Sequence, residues 1–127
     1  MDCETIKKYC LNKKGAYADF PFGPETLVIK TGSKLFALFG IDENPVRVNL
    51  KGDPFLNEDL RQQYSAIIPG YHMNKLHWNS VILDNSVPDY ILFQMVDESF
   101  HLVYTKLKKS EKLEIEKIVA RKNEKSK

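Results

Sequence analysis

Cysteine is scarce in this chain. Cys3 and Cys10 are the only two, and seven residues apart they fit no zinc-binding spacing. On one helix they would stand roughly 10 Å apart along the axis, beyond the reach of a disulfide. Long apolar runs are also missing: no stretch approaches the ~18–20 apolar residues of a membrane span. The N-terminus lacks the apolar run and small-residue cleavage site of a secretory signal. A cytoplasmic protein with reduced thiols and no membrane partner is the reading consistent with these absences. Recognised catalytic signatures are absent too, with no nucleophile elbow, glycine-rich phosphate loop or HExxH, so no catalytic activity is expected.

An excess of one charge sign is absent only on average. The chain carries a formal +2, but residues 106–127 hold nine of its 19 Lys and Arg and four of its 17 Asp and Glu. That end is +5, and the ten basic and 13 acidic residues before it leave the body at −3. A mildly acidic body does not attract phosphate by itself, so an electrostatic case for nucleic acid rests on the tail and on local patches. At 127 residues and 43% apolar content, the chain fits one globular domain. We divide it into a domain over residues 1–109 and a basic helix or tail over 110–127, and expect a monomer.

The hydrophobic period gives the order of elements. Asp2 to Lys13 reads as an amphipathic helix, with Cys3, Ile6 and Cys10 on one face and Gly15 as its stop. Ala16–Phe20, Thr26–Lys30 and Lys34–Ile41 read as strands, the last apolar on both faces and central. Pro21-Phe22-Gly23-Pro24 is a stiff turn. In Val46–Lys51 the apolar Val46, Val48 and Leu50 alternate with Arg47, Asn49 and Lys51, which share the other face. Asp53-Pro54 starts a helix to about Tyr64 that should bury Phe55, Leu56, Leu60 and Tyr64. Ser65 to Gly70 reads as a break, and His77–Leu83 as a last strand. Asn85-Ser86 supplies the next helix cap, and Phe93, Val96, Phe100, Val103 and Leu107 form that helix's core stripe. Ser110 to about Arg121 is helical by propensity alone, without a strong docking stripe. The fold class is α+β: an antiparallel sheet with helices on one face.

The densest chemistry lies between Ile68 and Leu83, where two of the three histidines, the only tryptophan, two asparagines, a tyrosine and a lysine gather. His72 and His77 have no converging carboxylates, so a metal site is not expected. Arg47, Asn49, Lys51, Tyr71, His72, Asn74, Lys75, His77 and Trp78 are types that contact phosphates and stack on bases. They form one patch if the Arg47 strand and the Trp78 strand share a sheet. The competing reading is a polar network that ties the last strand to the fold.

Three segments carry a family likeness: Phe20-Pro21-Phe22-Gly23-Pro24-Glu25, Arg47-Val48-Asn49-Leu50-Lys51 with Asp53-Pro54, and Pro69-Gly70-Tyr71-His72-Met73-Asn74-Lys75 with His77-Trp78-Asn79. Through them the chain resembles the MmcQ/YjbR family of small bacterial proteins over residues 1 to about 110. The resemblance implies a compact α+β domain likened to the CyaY-like frataxin fold and to a double-wing DNA-binding domain. It therefore implies DNA as partner, without cofactor. Iron, which the frataxin likeness would suggest, is disfavoured because Asp2 and Glu4 are outnumbered by Lys7, Lys8, Lys13 and Lys14. The chain departs from the family pattern at Gly52, where cysteine is common, at Phe100-His101, where Tyr-Asp is common, and in its longer basic tail. The alternative function is a small-ligand or protein-binding module with a pocket around residues 70–79 and the Phe20–Pro24 turn.

Overall fold

The computed structural model describes residues 2–70 and 73–125. Helix α1 (Cys3–Leu11) opens where the Asp2 carboxylate accepts from the Thr5 backbone N–H at 2.9 Å and its hydroxyl at 2.7 Å, capping the first turn. Strands β1 (Ala16–Asp19), β2 (Thr26–Thr31), β3 (Lys34–Gly40) and β4 (Arg47–Lys51) follow, then α2 (Pro54–Gln63), β5 (Ile67–Pro69), β6 (Trp78–Ile82), α3 (Asp89–Thr105) and α4 (Lys109–Lys125). The six strands form one antiparallel sheet in the order β1-β2-β3-β4-β6-β5.

Register decides which side chains share a face. Leu27, Phe39, Val48, Val81 and Ile67 stand opposite one another across five strands, as do Ile29, Ala37, Leu50, Asn79 and Pro69. These rows face the helices, and nearly all their members are buried. The alternate row, Val28, Leu38, Asn49, Ser80 and Ile68, lies on the face without helices.

Helix α3 lies across β2, β3 and β4. Its central buried line is Leu92, Met95, Val96, Ser99 and Val103. The expected Val96, Val103 and Leu107 belong to the buried set, whereas Phe93 and Phe100 flank it half-buried. Phe93 packs at 4.3 Å on Tyr9 of α1, and Phe100 meets Phe36 edge-on at 5.3 Å. A serine sits mid-core because it joins helix to sheet: Ser99 Oγ donates to the Phe36 carbonyl at 2.5 Å and accepts from the Lys51 N–H at 2.9 Å. The last N–H of β4 is thereby satisfied where the ladder ends.

Four expectations need correction. Phe55 and Leu56 are 81% and 55% exposed, because Asp53 and Pro54 start α2 in a rotation that turns Asn57 to the sheet instead. The segment after Ser65 is more than a break, since Ile67–Pro69 adds the edge strand β5. Asn85-Ser86 does not cap α3: Pro88 holds that position without a side-chain bond, and Ser86 bonds back to Asp84. Helix α4 does dock, with Ile115 buried against Gly15, where an added Cβ would come within 2.9 Å of the isoleucine. That glycine also has φ +73°, so a side chain there would be both strained and obstructed.

Two Lys-Tyr-carboxylate clusters fasten the helices. Asp97 accepts from the Tyr9 hydroxyl at 2.6 Å and from Lys13 Nζ at 2.5 Å, joining α1 to α3. Glu116 accepts from Lys14 Nζ at 2.6 Å and the Tyr104 hydroxyl at 2.8 Å, joining α4 to α3 and to the turn after α1. Burial pushes the Asp97 carboxyl up, but bonds from Lys13 and Tyr9 and the lysine charge outweigh it and hold the group below its ordinary value. Stability from this contact is therefore present above the unfolded-state value of 3.8 and is lost as pH falls through the lower folded value. Because the Asp97 side chain is half exposed, Asp97→Asn should cost only ~0.5–1 kcal/mol at pH 7. Urea titrations from pH 7 to pH 3 should show the difference from the parent shrinking at the acid end; a constant difference would assign it to packing.

Candidate binding site on the open sheet face

Strand β6 pairs with β4 so that Lys51 faces Trp78, Asn49 faces Ser80 and Arg47 faces Ile82. The two strands thus share a sheet, and Arg47, Asn49, Lys51 and Trp78 lie together on the face opposite the helices. Asn49 is nonetheless buried: its amide donates to the Leu38 carbonyl at 3.4 Å, and its carbonyl accepts from Ser80 Oγ. Arg47 is half-buried with Nε 3.1 Å from Glu43 Oε2. Lys51 and Trp78 are half-buried.

The segment before β6 is shaped by its own polar groups. Asn74 Oδ1 accepts from the N–H groups of Leu76 at 2.9 Å and His77 at 3.2 Å, a side-chain turn that starts the approach to β6. Lys75 Nζ reaches the Gly70 carbonyl at 3.2 Å, and the Gly70 N–H donates to the Trp78 carbonyl at 2.8 Å. A Cβ on Gly70 would come within 2.8 Å of Trp78 Cβ, so this close approach requires glycine. His77 is exposed, and its carbonyl accepts from the Gly52 N–H at 2.9 Å. Tyr71 and His72 lie outside the described residues.

Beneath the segment, on the helix side, runs a buried amide network. Arg61 Nε donates to Asn79 Oδ1 at 2.6 Å, and its Nη2 reaches the carbonyls of Lys75 and Trp78. Asn79 donates to the Asn57 carbonyl at 3.3 Å, while the Asn57 amide bonds the carbonyls of Gly52 at 3.1 Å and Leu76 at 3.2 Å. The space beside Gly52 is taken: a Cβ there would meet Asn57 Oδ1 at 2.3 Å. Glycine rather than cysteine at this position matches the fixed Asn57.

On the open face, the turn bearing Phe22 and the segment bearing Met73 border a cleft of about 350 Å³. Its lining includes Thr26, Leu38 and Asn49 from three neighbouring strands, with Arg47, Asp42 and Glu43 at the end of β4. Glu43 Oε2 is buried and makes no hydrogen bond, so its approach to Arg47 is Coulombic rather than an aligned bond. Glu43, Asp42, Leu38, Thr26 and Met73 escaped the sequence reading. Only the four-residue spacing of Glu43 and Arg47 hinted at the pair, and it spans a turn rather than a helix. Among the described residues, no three His, Cys, Asp or Glu gather to hold a metal ion, and no helix is long and apolar enough to cross a membrane.

This fold and these segments have relatives. The family model described as YjbR matches residues 11–102. The chain belongs to the YjbR family. YjbR of Escherichia coli (strain K12) is 39% identical over 100 residues, 79% of this chain and 85% of that protein. YbdF of Escherichia coli O157:H7 is 38% identical over 106 residues, 84% and 87% of the two chains. Both are described as uncharacterised. The crystal structure of Deinococcus radiodurans protein DR2400 is 38% identical and superposes with a TM-score of 0.82, covering 90% of this chain and 87% of that one.

The Arg61-Asn79-Asn57 network predicts the cost of breaking it. Asn79→Ala leaves buried partners unsatisfied and should destabilise by about 1–3 kcal/mol for each group stranded. Chemical denaturation of this variant should show the loss without a change in m-value; parent-like stability would mean that the network does not hold the segment.

Proposed function

We propose that this protein is a non-catalytic binding module whose ligand site is the cleft on the open sheet face. The observation that carries this is the buried Glu43 Oε2, without a hydrogen bond, in a cleft wall beside Arg47. A carboxylate oxygen paired with Arg47 by charge, but with no donor aligned on it, keeps acceptor capacity that a ligand N–H can fill on binding. Asn49 and Arg47 supply complementary polar groups, while Phe22, Leu38 and Met73 supply apolar contact. The ligand class is therefore a small molecule with an N–H donor, a carbonyl or carboxylate acceptor and an apolar part. A volume of about 350 Å³ suits such a ligand, at the lower end of the roughly 300–1,000 Å³ of small-molecule sites.

DNA is the second reading. It is favoured by Lys51 standing opposite Trp78, with exposed Lys75 and His77 in the preceding segment and exposed cations along α4. Against it, the cleft end of the same face mixes Asp42 and Glu43 with Arg47, which is not a phosphate-tracking surface.

Thermal-shift screening with amino acids, nucleosides and small carboxylates tests the first reading. A true ligand raises the melting temperature of the parent, and Phe22→Ala, altering a side chain 66% exposed, should abolish that shift while leaving the unliganded melting temperature within a few degrees. No stabilising compound in such a screen would count against the cleft. For DNA, gel retardation at low ionic strength should weaken steeply with salt and weaken further in Lys51→Ala. Absence of retardation, or a flat salt response, would reject it.

A further inference from the structure

The cleft on the open sheet face carries an unbalanced charge, and that imbalance narrows what it can hold. Asp42 and Glu43 bring two negative charges to its lining and Arg47 one positive, the only ionised side chains there among the described residues. Its other polar side chains, Thr26 and Asn49, are neutral. One negative charge is left over.

Position decides which carboxylate that is. Gly40 pairs with Arg47 across β3 and β4, and the Glu43 carboxyl carbon lies 3.4 Å from where a Cβ on Gly40 would stand. Glu43 thus folds over bare backbone, with Arg47 Nε 3.1 Å from its Oε2, and these two charges offset each other. Asp42 is exposed beside them, and its carboxylate has no ion pair or hydrogen bond with the described residues. A ligand anion placed here would meet Asp42 as a like charge, which is costly at an interface. A ligand cation would be welcomed. The neutral donor is Asn49, whose amide gives one of its two N–H groups to the Leu38 carbonyl at 3.4 Å and keeps the other.

We infer that the ligand of this cleft is a primary ammonium compound whose acceptor is a neutral carbonyl, as in the amide of an apolar amino acid. This rests on the reading of the cleft as the binding site and narrows its ligand class. The ammonium meets Asp42 and the spare acceptor capacity of Glu43, the carbonyl accepts from Asn49, and the apolar part packs on Phe22, Leu38 and Met73. Charge-assisted hydrogen bonds are roughly twice as strong as neutral ones. The ammonium therefore sets the affinity.

Isothermal titration with leucinamide, methioninamide and phenylalaninamide tests it, each compared with its isosteric hydroxyamide and with the free amino acid. At least one amide should bind, and both of its counterparts should bind about tenfold or more weakly, because one lacks the ammonium and the other adds a carboxylate. Asp42→Asn should weaken that amide by about tenfold and melt with the parent, since the side chain is exposed and holds nothing in the fold. Equal binding of an amide and its hydroxyamide, no binding of any amide, or parent-like binding by Asp42→Asn overturns the inference. The cleft reading falls separately, when the wider thermal-shift screen also finds no stabilising compound.

Discussion

A one-residue slip of β6 against β4 would send Asn79 to the open face and bring Ser80 under the helices. In the observed register Asn79 stands opposite Leu50 and meets Arg61 and Asn57, while Ser80 meets Asn49 on the other side. Each neighbour therefore has its own polar partner, on opposite faces of the same strand. The slip would strand both sets of buried groups, at about 1–3 kcal/mol for each. Apolar alternation alone would also resist it, since Val81 would leave the core. The amides add a stricter condition, because hydrogen bonds need particular atoms in particular places, whereas apolar burial tolerates substitution. The position of α2, the approach of residues 73–77 to β6 and the lining of the open face all follow from this pairing.

This separation into two polar layers recasts the cluster of side chains between Ile68 and Leu83. Asn74, Lys75 and the Gly70 and His77 backbone shape the segment, and Asn79 anchors it. Several residues that looked like ligand contacts from their chemistry thus also make the segment's own hydrogen bonds. The open-face groups Arg47, Asn49, Lys51 and Trp78 are brought together by the pairing of β4 with β6. Their charge is offset at the cleft by Asp42 and Glu43, which favours a ligand carrying both a donor and an acceptor over a polyanion.

The element order was legible because it rests on periodicity. Strands β1 to β4 and β6 lie within a residue or so of their expected limits, and the Arg47-Asn49-Lys51 alternation placed those three on one face, as the register does. What escaped has a common physical origin. Three-residue β5 is too short to show a period, and its existence depends on β6 being beside it. The orientation of α2 depends on Asn57 finding the Gly52 and Leu76 carbonyls, a long-range match that an apolar pattern cannot carry; Phe55 and Leu56 looked like core for that reason. Likewise, the cleft joins Phe22, Leu38, Glu43 and Met73 from four separate segments.

The C-terminal helix shows how the same physics distributes charge. Its apolar residues make too weak a stripe to dock by burial alone, and only Ile115 is fully covered. Docking is completed by Glu111, which accepts from the Ser33 N–H at 2.8 Å, and by Glu116 with Lys14 and Tyr104. Those bonds hold both carboxyls below their ordinary values, for Glu111 led by Ser33 and for Glu116 by Lys14. These two carboxylates are thereby drawn to the inner side, and exposed Lys109, Lys117, Arg121 and Lys122 are left on the others together with Glu114 and Glu124. A helix whose sequence mixes both signs thus presents a predominantly cationic outer surface. Two of its acids are engaged in holding the helix in place, while Glu114 stays exposed and offsets Lys117 at 3.5 Å.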